Sequence, residues 1–265
     1  MIPGLFETRK TVIAMAHLGP LPGSPLYDAK RGMAGLLDDV LEDIAALQKG
    51  GVDAIMFGNE GDRPYLLKAT PESLAAMTAL VTAAKPALTV PFGVNYLWDP
   101  VGTVAVAVAT GARFAREVFT GVYASDMGMW EPDCAGALRL RAQLGRQDLK
   151  LLFNINAEFA STPDTRSIEQ RARSAIFSSL ADVICVSGGI TGQAVEGSDL
   201  EAARRGAGAT PVFANTGVTI DNVETIMRVA DGCVIGTHFK HQGNTWNKVD
   251  PDRVARFMDR VRGLR

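Results

Sequence analysis

The sequence has few of the residues that mark secreted or transition-metal proteins. Its three cysteines, Cys134, Cys185 and Cys233, stand alone and form no CxxC pair. We therefore expect neither a disulfide framework nor a zinc–thiolate site. With only three histidines, the chain cannot supply both a histidine-rich metal centre and its acid–base partners. These shortages favour a protein of a reducing compartment without a transition metal.

The sequence also lacks an excess of charge of one sign. The 27 Lys and Arg nearly balance the 29 Asp and Glu, the formal net charge is -2, and the basic residues are scattered. Nucleic acids and anionic lipids attract concentrated positive charge, so neither is an expected partner. No apolar run is long enough to cross a bilayer, and the start MIPGLFETRK lacks the apolar core of a secretory signal. The expected location is the cytoplasm.

The pattern that organises the chain lies in its last quarter. Two short apolar runs, Val212–Ala214 and Gly232–Ile235, lead into the glycine-containing turns Asn215-Thr216-Gly217 and Gly236-Thr237. Apolar residues at helical spacing lie between the two runs, which predicts a strand–helix–strand unit. Glycine lets the backbone approach a ligand closely, with N–H groups available as donors. Paired turns after the last two strands are the usual phosphate site of a (β/α)8 barrel.

The rest of the chain supplies the other units of such a barrel. Six further strands are predicted, each followed by a helical pattern or a loop: Thr11–Ala16, Val52–Phe57, Thr89–Val94, Arg113–Phe119, Leu149–Ile155 and Asp182–Val186. The repeat of about 30 residues is the size of a βα unit, and no linker divides the series. We therefore expect a single α/β domain over residues 1–265, a (β/α)8 TIM barrel, with another α/β arrangement as the alternative.

Barrel enzymes place their chemistry at the C-terminal ends of the strands, and polar residues collect there in this chain. The expected acid–base residues are His17, Glu60, Asp62, Glu117, Asp126 and Glu158. The expected substrate- and phosphate-binding residues are Asn95, Asn154, Asn156, Ser187, Gly188, Gly189, Asn215, Thr216, Gly217, Gly236, Thr237 and Lys240.

Each acidic candidate has an alternative, structural interpretation. An unpaired charge on Glu117 near a strand end would be costly, so Glu117 either contacts substrate or pairs with a cation such as Arg116 or Lys240. Glu60 and Asp62 lie in a glycine-bounded loop and could instead cap it locally. His17 could shuttle protons or be a hydrogen-bonded structural residue.

Other kinds of catalysis are less favoured by the residue pattern. No cofactor is expected, although Mg²⁺ held by Glu60, Glu117, Asp126 or Glu158 stays open as an alternative. The sequence has no GxSxG motif for a serine nucleophile, and the fifth and sixth predicted strands contain no lysine between Leu151 and Val186 that could form a Schiff base. These absences leave acid–base chemistry as the leading expectation.

Several long segments resemble the BtpA family over nearly the whole chain. They are AMAHLGPLPGSP, GVDAIMFGNEGDRPY, PFGVNYLWDP, EVFTGVYASDMGMWE, DVICVSGGITG and DGCVIGTHFKHQGNTWNKVDPDRVARFM. The resemblance implies a TIM-type barrel akin to ribulose-phosphate-binding barrels, and it includes a branch linked to photosystem I stabilisation. The chain departs from the family pattern ADVHVKHA, with Asn156 and Glu158 in place of a His and a Lys. It also has Trp98 where an Arg is expected, so its substrate is expected to differ.

These patterns predict an enzyme that acts on a small phosphorylated sugar or related metabolite by acid–base chemistry. Isomerase, lyase and C–N-cleaving reactions all fit. The alternative is a non-catalytic assembly or stabilising factor that binds a partner or regulatory ligand, which would show an exposed apolar patch and few converging acids. Because barrels with apolar outer helices often pair, a homo-oligomer is also expected.

Overall fold

Parallel strands form the central barrel of the computed structural model, which describes Ile2 and residues 5–265. Eleven strands occur in this described part: β1 Thr11–His17, β2 Ala54–Gly58, β3 Phe92–Asn95, β4 Phe114–Glu117, β5 Tyr123–Ser125, β6 Gly128–Trp130, β7 Lys150–Asn154, β8 Ala160–Ser161, β9 Val183–Val186, β10 Val212–Ala214 and β11 Gly232–Ile235. Eight of them close in the order β1-β2-β3-β4-β7-β9-β10-β11 and return to β1. The predicted (β/α)8 barrel is therefore confirmed.

Helices surround the barrel and begin where the sequence offers caps. Within the described residues they are α1 Gly32–Gly50, α2 Pro71–Ala84, α3 Pro100–Thr110, α4 Cys134–Gln143, α5 Ile168–Ser179, α6 Gly197–Ala207, α7 Val223–Val229 and α8 Pro251–Arg262. Asp99 accepts hydrogen bonds from the amides of Val101 and Gly102 at the start of α3, and Asp250 caps α8 in the same way. No helix of this described part combines the length and apolarity needed to span a bilayer.

The barrel core has an inner and an outer layer because successive strand residues point to opposite faces. On β4, Phe114 packs inside the barrel against Leu152 and Phe213, whereas Ala115 packs in the layer between strands and helices. The alternation continues to the end of the strand. It places Arg116 on the inner face and Glu117 on the outer face.

A small antiparallel sheet covers part of the C-terminal end of the barrel. The segment TGVYASDMGMWEPD after β4 forms the β5–β6 hairpin, and β5 also pairs with β8. Tyr123 and Trp130 lie opposite each other across the hairpin and are both buried. These aromatic side chains give the hairpin an apolar base, which explains why a glycine-containing segment is ordered.

Candidate active site

A cavity of about 260 Å³ opens at the C-terminal ends of the barrel strands. Eight of the residues expected at the site line it: His17, Glu60, Glu158, Asn215, Thr216, Gly217, Gly236 and Thr237. Because they come from loops after five different strands, closing the barrel is what brings them together. The cavity is also lined by Arg116, Arg253 and several aromatic residues that sequence reasoning did not assign to the site.

Arg116 lies in the floor of the cavity and is held by three hydrogen-bonding partners. Its Nη1 donates to Asn95 Oδ1 at 2.8 Å, its Nε donates to Asn154 Oδ1 at 3.2 Å, and its Nη2 lies 3.4 Å from Glu158 Oε1. The side chain is buried. Sequence reasoning named Arg116 only as a partner for Glu117. The alternation that turns Phe114 inward was the signal that could have placed Arg116 inside the barrel.

The guanidinium fixes the orientation of the amides around it, because it donates and never accepts hydrogen bonds. Asn154 must present its oxygen to Arg116, and its amide nitrogen then donates to Ser187 Oγ at 2.9 Å. Asn215 Nδ2 donates to the same hydroxyl at 2.8 Å. The hydroxyl hydrogen of Ser187 is left for the Glu158 carboxylate, with which it also interacts.

Ser187 and the asparagines therefore form a polar layer beneath the cavity. Asn156 braces the backbone of Ser187 in both directions, donating to its carbonyl at 2.7 Å and accepting from its amide at 2.9 Å. Asn95, Asn154, Asn156 and Ser187 lie behind the lining residues rather than among them. Asn95 and Asn154 contact Arg116, Ser187 contacts Glu158, and Asn156 acts on the cavity only through Ser187, so all four support the groups that line it.

Glu117 was expected to contact substrate or to pair with a cation, and the structure gives it a different surrounding. It does not line the cavity. Its Oε2 accepts from Asn95 Nδ2 at 2.5 Å, and its Oε1 accepts from the amide of Val118 at 2.8 Å. Burial raises the pKa of Glu117 to about 8. Glu117 is absent from the cavity because it follows Arg116 directly on β4 and therefore points to the opposite, outer face of the strand.

Glu60 and His17 form a buried pair at the side of the cavity, with Glu60 Oε1 3.5 Å from His17 Nε2. Burial raises the pKa of Glu60 to about 7, against the opposing effect of the Arg116 charge. Burial, with the charges of Lys240 and Arg116, lowers the pKa of His17 to about 3. His17 is thus neutral near pH 7, while Glu60 exchanges its proton there. A group with such a pKa is suited to general acid–base catalysis.

Glu158 lines the same cavity as Glu60, and Arg116 and Thr191 hold its carboxylate in addition to Ser187. Its Oε1 faces Arg116, and its Oε2 accepts from Thr191 Oγ1 at 2.8 Å. Burial raises the pKa of Glu158, and the Arg116 charge opposes that shift. The ion pair with Arg116 offsets the burial of both charges.

The two glycine turns form another part of the cavity wall, and the turn at Gly236 lies next to His17. Gly217 has a φ of 61°, and a Cβ there would lie 2.1 Å from the backbone nitrogen of Ala194. A Cβ at Gly236 would lie 2.7 Å from the His17 ring. Both positions therefore require glycine. Among the described residues, the amides of Val218 and Thr237, which follow these glycines, have no hydrogen-bond partner.

Arg253 of α8 brings a positive charge to this side of the cavity. It lines the cavity, and its Nε donates to the carbonyl of His238 at 2.7 Å. No local sequence pattern marks Arg253, because its place at the site depends on how α8 packs. Unpaired amides beside a guanidinium are suited to binding an anion.

Three further residues expected at the site also lie outside the cavity. Asp62 accepts hydrogen bonds from the amide of Leu21 at 2.7 Å and from Asn59 Nδ2 at 3.1 Å. It therefore has the local capping role that was the alternative interpretation of its place in the sequence. Asp126 is exposed in the turn between β5 and β6. Lys240, expected to contact phosphate, is buried and its Nζ lies 2.6 Å from Asp43 Oδ2. The sequence analysis named Lys240 as one of two cations that could pair with Glu117, whereas its partner in the structure, Asp43, belongs to α1.

Gly188 and Gly189 shape the loop after β9 without lining the cavity. The amide of Gly188 donates to Thr216 Oγ1 at 2.6 Å, and the carbonyl of Gly189 accepts from the amide of Phe159 at 3.0 Å. The loop thereby joins the turn after β10 to the turn after β7.

Within the described part of the chain, no group of three or more His, Cys, Asp or Glu is arranged to hold a metal ion.

The chain matches known proteins over nearly all of its length. Residues 8–263 match the model of the BtpA family. The chain belongs to the BtpA family. It is 45% identical over 258 residues to the sgc region protein SgcQ of Escherichia coli K12, an alignment that covers 97% of this chain and 96% of that protein. It is 32% identical over 257 residues to the photosystem I biogenesis protein BtpA of Synechocystis, covering 96% and 88%.

Solved structures share the barrel of this BtpA-family chain at low sequence identity. A dihydropteroate synthase of Xanthomonas albilineans superposes with a TM-score of 0.61 at 14% identity, covering 98% of this chain and 93% of that one. The phosphoribosyl anthranilate isomerase of Thermus thermophilus superposes with a TM-score of 0.58 at 11% identity, covering 96% and 100%. At this identity the similarity shows the fold alone.

Proposed function

We propose that this protein is an enzyme that acts on a small phosphorylated sugar or related metabolite by acid–base chemistry, of the isomerase, lyase or C–N-cleaving type. The observation that carries the proposal is the placement of Glu60 in one cavity with two glycine turns. Glu60 has a pKa of about 7 and lies against a neutral His17. The turns at Gly217 and Gly236 line the same cavity.

The glycine turns and Arg253 would hold the phosphate group. A phosphate oxygen accepts hydrogen bonds from backbone N–H groups, and the amides of Val218 and Thr237 are unpaired among the described residues. The guanidinium of Arg253 adds charge beside them. Barrels with phosphate sites use the turns after their seventh and eighth strands in this way.

Glu60 and Arg116 would carry the chemistry. A carboxyl group whose pKa lies near the working pH can both take and return a proton, which an isomerase or a lyase needs. The guanidinium of Arg116, which lines the cavity, would stabilise negative charge that develops on a substrate oxygen. Glu158 balances that charge in the free enzyme. No step of this proposal requires a metal or an organic cofactor, while Mg²⁺ remains an addition to test.

A thermal-shift and turnover assay tests the proposal. Inorganic phosphate and ribose 5-phosphate should raise the melting temperature, because a ligand that binds the native state stabilises it. Glu60→Gln should keep that shift and lose turnover of any phosphorylated substrate found. Glu131→Gln, at an exposed position outside the cavity, is the matched control and should change neither. The proposal fails if no phosphorylated compound shifts the melting temperature.

The alternative, a non-catalytic assembly factor, is supported by the name of one relative, the photosystem I biogenesis protein BtpA. That alternative required few converging acids. The cavity instead brings Glu60 and Glu158 to the same floor as Arg116, which favours the enzyme. A stable protein partner together with no response to any phosphate ester would favour the assembly factor.

A further inference from the structure

Aromatic side chains form one wall of the cavity. Tyr65 in the loop after β2, Trp98 in the loop after β3 and Phe159 in the loop after β7 all line it, and we call these three residues the aromatic wall. The Tyr65 and Trp98 rings meet edge to face, with centroids 6.1 Å apart and an interplanar angle of 74°. A short sugar phosphate has no group that needs such a surface.

One member of the aromatic wall, Trp98, lies across the barrel from the turn at Gly217. In the closed order of eight strands, β3 is four positions from β10, so the loop with Trp98 is diametrically opposite that turn. Glu60, in the loop after β2, and Arg116, on β4, line the same cavity. A ligand whose phosphate occupies the turn at Gly217 would therefore reach Trp98 with its other end, across the cavity that these two residues also line.

The small sheet makes this wall rigid. Trp98 packs on Trp130 of β6 with centroids 5.0 Å apart, and Trp130 packs on Tyr123 of β5 with centroids 5.4 Å apart. Tyr65 and Phe159 pack against the same apolar cluster. Because β5 and β6 are additional to the barrel strands, the sheet gives the wall a support that a plain barrel does not have.

Two features of the wall are unfavourable for stability. Phe159 has a φ of 54°, a left-handed conformation that is strained for a bulky residue. The indole Nε1 of Trp98 is buried and has no hydrogen-bond partner among the described residues. Such costs persist where the surroundings impose them, and they cluster at ligand sites. They indicate that the aromatic wall is placed for binding rather than for packing.

From this placement we infer that the substrate is a phosphate ester whose other end is a planar ring, as in a nucleoside monophosphate, and that the aromatic wall binds that ring. The inference rests on the proposed function, because it assumes that the glycine turns hold phosphate. Aromatic side chains stack against or meet the edges of planar rings, and every base offers such a face. The size of the cavity, about 260 Å³, suits a compact ligand of this kind.

Calorimetric titration with a matched set of ligands tests the inference. Ribose 5-phosphate carries the phosphate and sugar, AMP and UMP add a purine or pyrimidine ring, and adenosine carries the ring without the phosphate. At least one nucleotide should bind ten-fold or more tightly than ribose 5-phosphate. Trp98→Leu should remove that advantage and leave the affinity for ribose 5-phosphate unchanged.

Two further variants keep the test independent of folding defects. Tyr65→Leu changes a less buried member of the wall and should reduce the nucleotide advantage without altering the melting temperature. Trp246→Leu, an exposed tryptophan outside this cavity, is the matched control and should bind every ligand as the wild type does. An unchanged nucleotide advantage in both wall variants overturns the inference.

The ligand series separates this inference from the proposed function. If ribose 5-phosphate and both nucleotides bind equally, the ring inference is overturned and the proposed function stands. If adenosine binds as tightly as AMP, the phosphate contributes nothing, and both the proposed function and this inference are overturned. Binding of no phosphorylated compound also overturns both.

Discussion

Arg116 Nη1 donates to Asn95 Oδ1 at 2.8 Å, and this contact fixes the orientation of the Asn95 amide. With its oxygen taken, Asn95 turns its nitrogen towards Glu117. By donating to both Asn95 and Asn154, Arg116 thus fixes the direction of the hydrogen bonds beneath the cavity. Its removal is expected to disturb more than one contact.

Arg116→Met should leave the buried Glu158 carboxylate without its counter-charge. Loss of one partner of a buried ion pair costs about 3–5 kcal/mol, and we expect the free energy of unfolding to fall by roughly that amount. The measurement is urea denaturation followed by circular dichroism. Arg116→Met combined with Glu158→Gln should recover part of the loss. No recovery in the double variant would contradict an ion pair between these two residues.

Glu60 should make the stability of the protein depend on pH. Its pKa is raised from 4.5 to about 7 in the folded state, so its contribution is fully present below pH 4.5 and is lost as pH rises through about 7. Relative to Glu60→Gln, the wild type should therefore lose about 3 kcal/mol of unfolding free energy between pH 4.5 and pH 8. Denaturation of both proteins across this range measures the difference, since other groups are common to both. A constant difference would show that the Glu60 pKa is ordinary.

Glu117→Gln should destabilise the fold and affect turnover only indirectly. The carboxylate accepts from two N–H donors, those of Asn95 and Val118. A glutamine has one acceptor oxygen, so one of these buried donors would face an NH₂ group, at a cost of about 1–3 kcal/mol. The melting temperature should fall, with turnover per folded molecule retained. An unchanged melting temperature with turnover abolished would restore Glu117 as a catalytic residue.

Gly217→Ala should weaken the binding of phosphate compounds. The added Cβ would lie 2.1 Å from the backbone of Ala194, and the positive φ is strained for alanine, so the turn must shift. We expect the dissociation constant of ribose 5-phosphate to rise by ten-fold or more in a calorimetric titration. Gly197→Ala, where no atom lies within 4 Å of the added Cβ, is the matched control. Equal weakening in both variants would contradict a phosphate site at Gly217.

Phe177→Ser tests the expected homo-oligomer. Phe177 on α5 is 87% exposed. Leu180, three residues after Phe177 and directly after the end of α5, is 60% exposed. Exposed apolar pairs of this kind occur at contacts between copies of a chain. If the wild type is an oligomer through α5, light scattering should show a lower mass for Phe177→Ser. A wild-type monomer, or an oligomer unaffected by the change, would contradict this contact.

The barrel could be predicted from the sequence because its strands are buried on both sides. Runs such as Val52–Phe57 are apolar throughout, and each ends in polar or glycine residues. The same pattern predicted the end of the barrel at which the cavity lies, because parallel strands bring their C-terminal ends together. The glycine turns at Gly217 and Gly236 were found for the same reason.

The details of the site could not be predicted because they depend on which strand face points inward. The alternation along β4 puts Arg116 on the same face as Phe114, but the strand alone does not say which of its two faces enters the barrel. The aromatic wall depends on contacts between distant segments, such as Trp98 with Trp130. Lys240 was assigned to phosphate because its partner, Asp43, lies 197 residues earlier in the chain.

The buried contact of Lys240 with Asp43 has a consequence for biosynthesis. Asp43 leaves the ribosome long before Lys240, and until then its carboxylate has no counter-charge. The strand β1 likewise has no neighbour on one edge until β11 has been made. A nascent chain that stalls before residue 232 therefore exposes an unpaired strand edge to other chains. Truncated products of this protein should consequently aggregate or be degraded rather than accumulate as folded fragments.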